Sequence, residues 1–118
     1  MLFRSETTTH EVVGEVEGKT CLLVDDMVDT AGTMCQAALA LKKHGAKRVI
    51  AAATHPILSD PAAERINNSP IEELIVTNTL KIRDDIDIPA MTLLSIAPLI
   101  AKAIQEVFED GSVTSLFR

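Results

Sequence analysis

The sequence predicts an α/β domain with a mainly parallel sheet flanked by helices. Short unbroken apolar runs recur at residues 20–24, 49–54, 74–76 and 91–94. Such runs suit strands covered on both faces, whereas half-solvated strands alternate apolar and polar residues. Between and after them, apolar residues fall at helical spacing. Several runs also end abruptly, as at Asp25-Asp26 and His55-Pro56. Strands alternating with helices require crossover connections and therefore parallel pairing.

Each element follows in order. Residues 1–10 are polar and Thr-rich, lack periodicity and are expected to be poorly ordered, leaving residues 11–118 as the folded domain. Gly14 and Gly18 bracket a turn-like Glu15-Val16-Glu17. The first strand occupies residues 20–24 and stops at Asp25-Asp26. Over residues 31–44, Met34, Cys35, Ala38 and Leu41 form a helical stripe, with Gly45 as the stop. Lys42, Lys43 and His44 crowd the last turn, where positive charge complements the helix dipole. The second strand ends at His55-Pro56. A short helix follows, with Asp60 as its cap and Pro61 at its first position. Residues 74–76 and 91–94 supply the third and fourth strands. In the last helix, Ile96, Leu99, Ile100, Ala103, Ile104, Val107 and Phe108 form one apolar stripe, and Pro98 fits because it lies in the first turn.

A chain of 118 residues suits a single domain. With 47% hydrophobic and 24% charged residues, it reads as globular rather than disordered. Acids outnumber bases 17 to 11, and the net charge of −6 disfavours gripping nucleic acid or an anionic membrane. No apolar run approaches the roughly 20 residues that span a bilayer, and the start has no secretion-signal pattern. Two cysteines make no disulfide scaffold, so reduced thiols in the cytoplasm are expected. Trp and Tyr are absent, which removes base-stacking platforms.

The chemistry concentrates in Val24-Asp25-Asp26-Met27-Val28-Asp29-Thr30-Ala31-Gly32-Thr33. A buried strand runs into two carboxylates, then a loop of small and hydroxyl residues, then a helix. Gly32 removes the Cβ that would keep a ligand off the backbone. Thr30 and Thr33 offer hydroxyls and the helix start offers free N–H groups, together an anion cradle. The carboxylates accept hydrogen bonds from vicinal hydroxyls or approach a Mg²⁺ held by the ligand. A phosphorylated sugar needs both parts. The alternative is that Asp29 or Thr30 caps the helix while Asp25 and Asp26 are solvated acids.

This string resembles the ribose-phosphate-binding loop of type I phosphoribosyltransferase folds, and more narrowly the ribose-phosphate pyrophosphokinase family. Gly14-Glu15-Val16-Glu17-Gly18-Lys19, His44-Gly45-Ala46-Lys47-Arg48-Val49, Ala53-Thr54-His55-Pro56-Ile57-Leu58-Ser59 and Ser112-Val113-Thr114-Ser115-Leu116-Phe117 accompany it in family order. The resemblance covers nearly everything from about Glu11 onward. It implies a type I phosphoribosyltransferase-like fold and transfer of pyrophosphate from ATP to the C1 hydroxyl of ribose 5-phosphate, with Mg²⁺. By position, Asp25 and Asp26 contact the ribose hydroxyls. Asp29, Thr30, Ala31, Gly32 and Thr33 surround the 5-phosphate, with Asp29 acting through its backbone or by shaping the loop. Family enzymes pair two related domains, and the amino-terminal one carries the ATP side with its metal-binding His and Asp. The chain alone is therefore expected to be catalytically incomplete. It is also expected to form a homo-oligomer or to associate with full-length synthetase subunits.

Two other readings compete. A non-catalytic partner that regulates complete synthetase subunits would share the same strings, and residues 112–117 resemble a tail near nucleotide-effector and subunit contacts. A receiver-like signalling domain would share Leu-Leu-Val-Asp-Asp, but its phosphoacceptor Asp has no counterpart at Thr54-His55 or Thr77-Asn78. Cys21 and Cys35 read as buried inert thiols, and no His or Cys spacing completes a zinc site. His55 lies near the strand ends and fits a local loop hydrogen bond at least as well as a ligand contact.

Overall fold

The computed structural model describes residues 3–5, 10–12 and 14–109. Chain order is β1 (Phe3–Ser5), β2 (His10–Val12), β3 (Thr20–Val28), α1 (Gly32–Lys43), β4 (Arg48–Pro56), α2 (Ala62–Asn67), β5 (Ile71–Thr77), β6 (Met91–Leu94) and α3 (Ala97–Phe108). The last four strands form one parallel sheet in the order β3-β4-β5-β6. The expected α/β architecture is present. The backbones of β1 and β2 pair antiparallel, Phe3 opposite Val12, so β1 of the stretch at residues 1–10 meets the start of the expected domain. The tail at residues 112–117 lies outside the described residues.

Spatial order equals sequence order, so every crossover steps in the same direction. Crossovers of one hand then place their helices on one face of the sheet. The core records this. Cys21 and Leu23 of β3, Val49, Ala51 and Ala53 of β4, and Ile71, Leu74 and Val76 of β5 are buried together with Met34, Cys35, Ala38 and Leu41 of α1 and Ala62 and Ile66 of α2. Fully burying a Leu, Ile or Val contributes about 1.5–3 kcal/mol.

Burial on both sheet faces, expected from the unbroken apolar runs, is corrected by the structure. Leu22 is 55% exposed and Val24 73% exposed, and Leu93 and Leu94 are exposed on β6. The crossover from β5 to β6 carries no helix; its Ile88 joins the core, with Ile82 and Ile86 packed against it. The α3 stripe is amphipathic as expected, yet no α3 residue is buried, and Phe108 is 84% exposed. Its start is held by polar groups that the periodicity did not indicate: Ile96 N–H donates to Asn78 Oδ1 at 2.9 Å and Ala97 N–H to Ser95 Oγ at 3.1 Å.

Asp60 does not cap α2. No side-chain cap bond is made there, Pro61 itself occupies the cap position, and the Asp60 carboxylate pairs with Arg83 at 2.9 Å. Exposed ion pairs of this kind contribute at most about 1 kcal/mol.

The end of α1 follows the sequence closely. Ala46 N–H donates to Leu41 O at 3.0 Å and Gly45 N–H to Lys42 O at 3.0 Å, and Gly45 has φ 93°. This double bond pattern is the Schellman closure, which wants glycine at the left-handed position. A Cβ there would also lie 3.0 Å from Glu17 Cγ and 3.3 Å from Glu17 Cα. Gly45→Ala is expected to destabilise the fold by about 1–2 kcal/mol, read as a lowered urea midpoint with an unchanged slope. An unaltered midpoint would show that the turn relaxes freely.

Candidate sugar-phosphate loop

Strand pairing continues past Val24, where the sequence reading ended the first strand: Asp25 lies opposite Ala53, Met27 opposite His55 and Val28 opposite Pro56. The acids therefore stand on β3, and adjacent strand residues point to opposite faces. Asp25, Asp29, Thr30, Ala31, Gly32 and Thr33 line one hollow of about 170 Å³, with Met27, Val28 and Met34. Asp26 is not among its walls; its backbone N–H donates to Asp25 Oδ1 at 2.8 Å. Asp25 also borders a second hollow of about 210 Å³ with Ala53, Thr54, Val76, Thr77 and Leu94. Both lie at the carboxyl ends of parallel strands, where open α/β sheets bind ligands.

Partial desolvation raises the Asp25 carboxyl above its ordinary value although the residue is largely exposed, and the Asp26 side chain adds to this; the hydrogen bond from Asp26 N–H acts the other way. A raised folded value means that Asp25 favours folding when protonated, at low pH. That contribution is lost as pH rises through the folded value. Asp25→Asn is therefore expected to stabilise the chain at pH 7 and change little near pH 3, measured by urea unfolding at both pH values. Lower stability at pH 7 would contradict the desolvation argument.

At the helix start, Ala31 adopts the left-handed conformation, φ 65°, and no side chain caps the helix. Neither Asp29 nor Thr30 acts as the cap that the alternative reading assigned. The helical ladder opens with Cys35 N–H donating to Ala31 O at 3.0 Å, so the amides of Gly32, Thr33 and Met34 have no intrahelical acceptor. Leu58 is likewise left-handed, φ 55°. It is buried, and its N–H and that of Ile57 both reach Val28 O at 3.0 Å. Two non-glycine residues in this conformation thus flank the end of β3, and such outliers persist only where their surroundings hold them.

Gly32 lines the hollow, and the space left by its missing Cβ also borders Arg65. A Cβ there would lie 2.9 Å from Arg65 Nη1, and the same nitrogen donates to Thr30 O at 3.2 Å. Sequence reasoning missed Arg65. It sits 35 residues from Thr30, on another helix, and nothing in the spacing links the two.

His55 makes the local bond expected of it. His55 Nδ1 and Thr79 Oγ1 share a hydrogen bond at 2.8 Å, and Thr77 Oγ1 donates to Thr54 O at 2.7 Å beside it. Both cysteines are free and buried, and burial pushes the Cys35 thiol up, away from reactivity. Among the described residues, no group of three or more His, Cys, Asp or Glu gathers as a metal cage, and no helix is long and apolar enough to cross a membrane.

A family model described as the phosphoribosyl synthetase-associated domain matches residues 2–118. The chain belongs to this family. Ribose-phosphate pyrophosphokinase of Streptomyces coelicolor is 58% identical to this phosphoribosyl synthetase-associated domain over 113 residues, 96% of the chain and 35% of that protein. The enzyme of the same name from Mycobacterium leprae is 53% identical over the same shares. The crystal structure of phosphoribosylpyrophosphate synthetase from Mycobacterium smegmatis superposes with a TM-score of 0.83 at 54% identity, covering 90% of the domain and 36% of that chain. The domain thus spans about a third of the length of the relatives it matches. The resemblance drawn from the loop and its flanking strings is borne out, and with it the type I phosphoribosyltransferase-like fold.

Proposed function

We propose that the chain is the ribose 5-phosphate-binding part of an enzyme that transfers pyrophosphate from ATP to ribose 5-phosphate, yielding 5-phosphoribosyl 1-pyrophosphate for nucleotide biosynthesis. The observation that carries this is the single hollow in which Asp25 faces the backbone and hydroxyls of Asp29, Thr30, Ala31, Gly32 and Thr33. The acid suits sugar hydroxyls, and the uncapped helix start suits a phosphate. Identity to proteins named ribose-phosphate pyrophosphokinase supports the substrate class.

Residues 11–118 are the carboxy-terminal phosphoribosyltransferase-like domain in this reading, working in the cytoplasm, and ATP is held by the part of the enzyme beyond this chain. Asp26 takes part through the amide that orients Asp25 and through a carboxylate on the neighbouring strand position. The Asp25 carboxylate, which lines the hollow, would suit a Mg²⁺ carried on ligand oxygens, since that ion keeps much of its shell and needs few protein carboxylates. When bound, Mg²⁺ supplies charge neutralisation for the transferring phosphates.

The test is an NMR titration of the 118-residue chain. Ribose 5-phosphate is expected to shift the amides of Ala31, Gly32, Thr33 and Met34 with a dissociation constant on the order of 1 mM, about −4 kcal/mol. Thr33→Val should abolish those shifts. Asp25→Asn should weaken ribose 5-phosphate more than inorganic phosphate, because its partner is a hydroxyl. Loop amides that stay still throughout the titration would remove the assignment.

A further inference from the structure

Arg65 does not line the hollow; it lines a groove of about 640 Å³ between α1 and α2 that shares Gly32 and Thr33 with it. Its Nη1 donates to Thr30 O at 3.2 Å and lies 2.9 Å from the position of a Gly32 Cβ. A trans peptide points its carbonyl and its N–H in opposite directions. With the Thr30 carbonyl turned to Arg65, the Ala31 N–H is aimed away from the groove. Rotation of that peptide plane would instead bring the negative end of a carbonyl towards an anion in the hollow.

The left-handed Ala31 is braced from both sides. Arg65 holds the carbonyl before it, and Cys35 N–H holds its own carbonyl at 3.0 Å. A left-handed L-residue is costly, and without a brace the chain relaxes. The guanidinium also sets a positive charge behind a segment that carries Asp25, Asp26 and Asp29. Arg is always charged and donates from a rigid planar fork, so it suits this role better than a flexible ammonium.

We propose that Arg65 is a positioning residue for the sugar-phosphate loop: without touching the ligand, it fixes the Thr30–Ala31 peptide so that the Ala31 N–H faces the phosphate. A Cβ at position 32 would lie 2.9 Å from the guanidinium nitrogen, so a larger residue there would push the tip of Arg65 aside. The proposal rests on the sugar-phosphate reading of the loop, and the experiment separates the two.

The 118-residue chain is compared with Arg65→Ala, Arg65→Lys, Gly32→Ala and the double variant Arg65→Ala/Gly32→Ala, first free and then titrated with ribose 5-phosphate and with inorganic phosphate. In the free chain, Arg65→Ala is expected to move the Ala31 and Gly32 amide resonances while the β4 and β5 resonances stay in place. On titration it should weaken both ligands alike, by about tenfold, the scale of one charge-assisted hydrogen bond. Arg65→Lys should recover part of the loss. Gly32→Ala should reproduce it, and the double variant should lose no more than either single one, because both substitutions break the same contact. Wild-type affinity in Arg65→Ala, or losses that add in the double variant, would overturn the positioning role. If ribose 5-phosphate leaves the wild-type loop unshifted, the sugar-phosphate reading falls, and the free-chain comparison still decides Arg65: unmoved Ala31 and Gly32 amides in Arg65→Ala overturn it.

Discussion

Supplied with ATP, Mg²⁺ and ribose 5-phosphate, the 118-residue chain is expected to release no AMP above background. Phosphoryl-type transfer depends on holding donor and acceptor in line and on stabilising the charge that moves between them. Around the hollow stand acids, hydroxyls and backbone amides, while Arg65 touches the loop from behind. That inventory suits a sugar phosphate and supplies no cationic grip for a nucleotide triphosphate. Losing one electrostatic donor costs about 100- to 1000-fold, and the relatives are about three times as long as the segment matched here. Adding the separately expressed remainder of a relative should restore turnover where the two parts dock, with Asp25→Asn as the impaired control. Robust turnover by the chain alone would defeat the incomplete-enzyme reading. Stimulation of a complete relative, with none contributed by this chain's own loop, would favour the regulatory-partner reading instead.

Strong self-association is the second large effect expected. Leu22, Val24 and Leu94 expose the uncovered sheet face, Leu93 is exposed on the opposite face at the sheet edge, and Leu99, Ile100, Ile104, Val107 and Phe108 expose the stripe of α3. Contiguous apolar surface of this kind seldom faces water in a monomeric protein. Burial returns about 25 cal/mol per Å², and a dissociation constant on the order of 10 µM corresponds to about −7 kcal/mol. Light scattering should therefore show a mass that climbs with concentration. Leu22→Lys/Val24→Lys should lower it without loss of the fold, since both side chains already face solvent. A clean monomer at millimolar concentration would show that the bare face is tolerated as it is.

The sequence was informative where short-range physics decides. Gly45 announced the α1 terminus because a left-handed closure favours glycine, and the lysines beside it marked the last turn. Met91–Leu94 appears at its expected bounds. Most of the loop was also legible, because Asp25 and the run from Asp29 to Thr33 adjoin in the chain and fold into one hollow. What escaped depends on topology. An apolar run looks the same whether its second face is covered or bare, so Val24 read as core. Strand pairing with β4 carries β3 through Asp25 and Asp26, residues that by themselves read as a loop. Asp60 had the composition of a cap, yet Arg83 was placed within reach of it by tertiary structure. Gly32 reads as clearance for a ligand, and the nearness of Arg65 to the same position could not be read from the spacing.

The Arg65 contact also sets an order of events during synthesis. Thr30 leaves the ribosome 35 residues ahead of its partner. At the usual 5–20 residues per second, that gap lasts roughly two to seven seconds. Ile57 and Leu58, whose amides hold the Val28 carbonyl, arrive in the same interval. The nascent loop therefore emerges without its braces, with Ala31 free to leave the left-handed conformation. Its ligand-ready shape is acquired from later segments of the chain, so truncation shortly before Arg65 would leave every residue of the loop in place and its geometry unset.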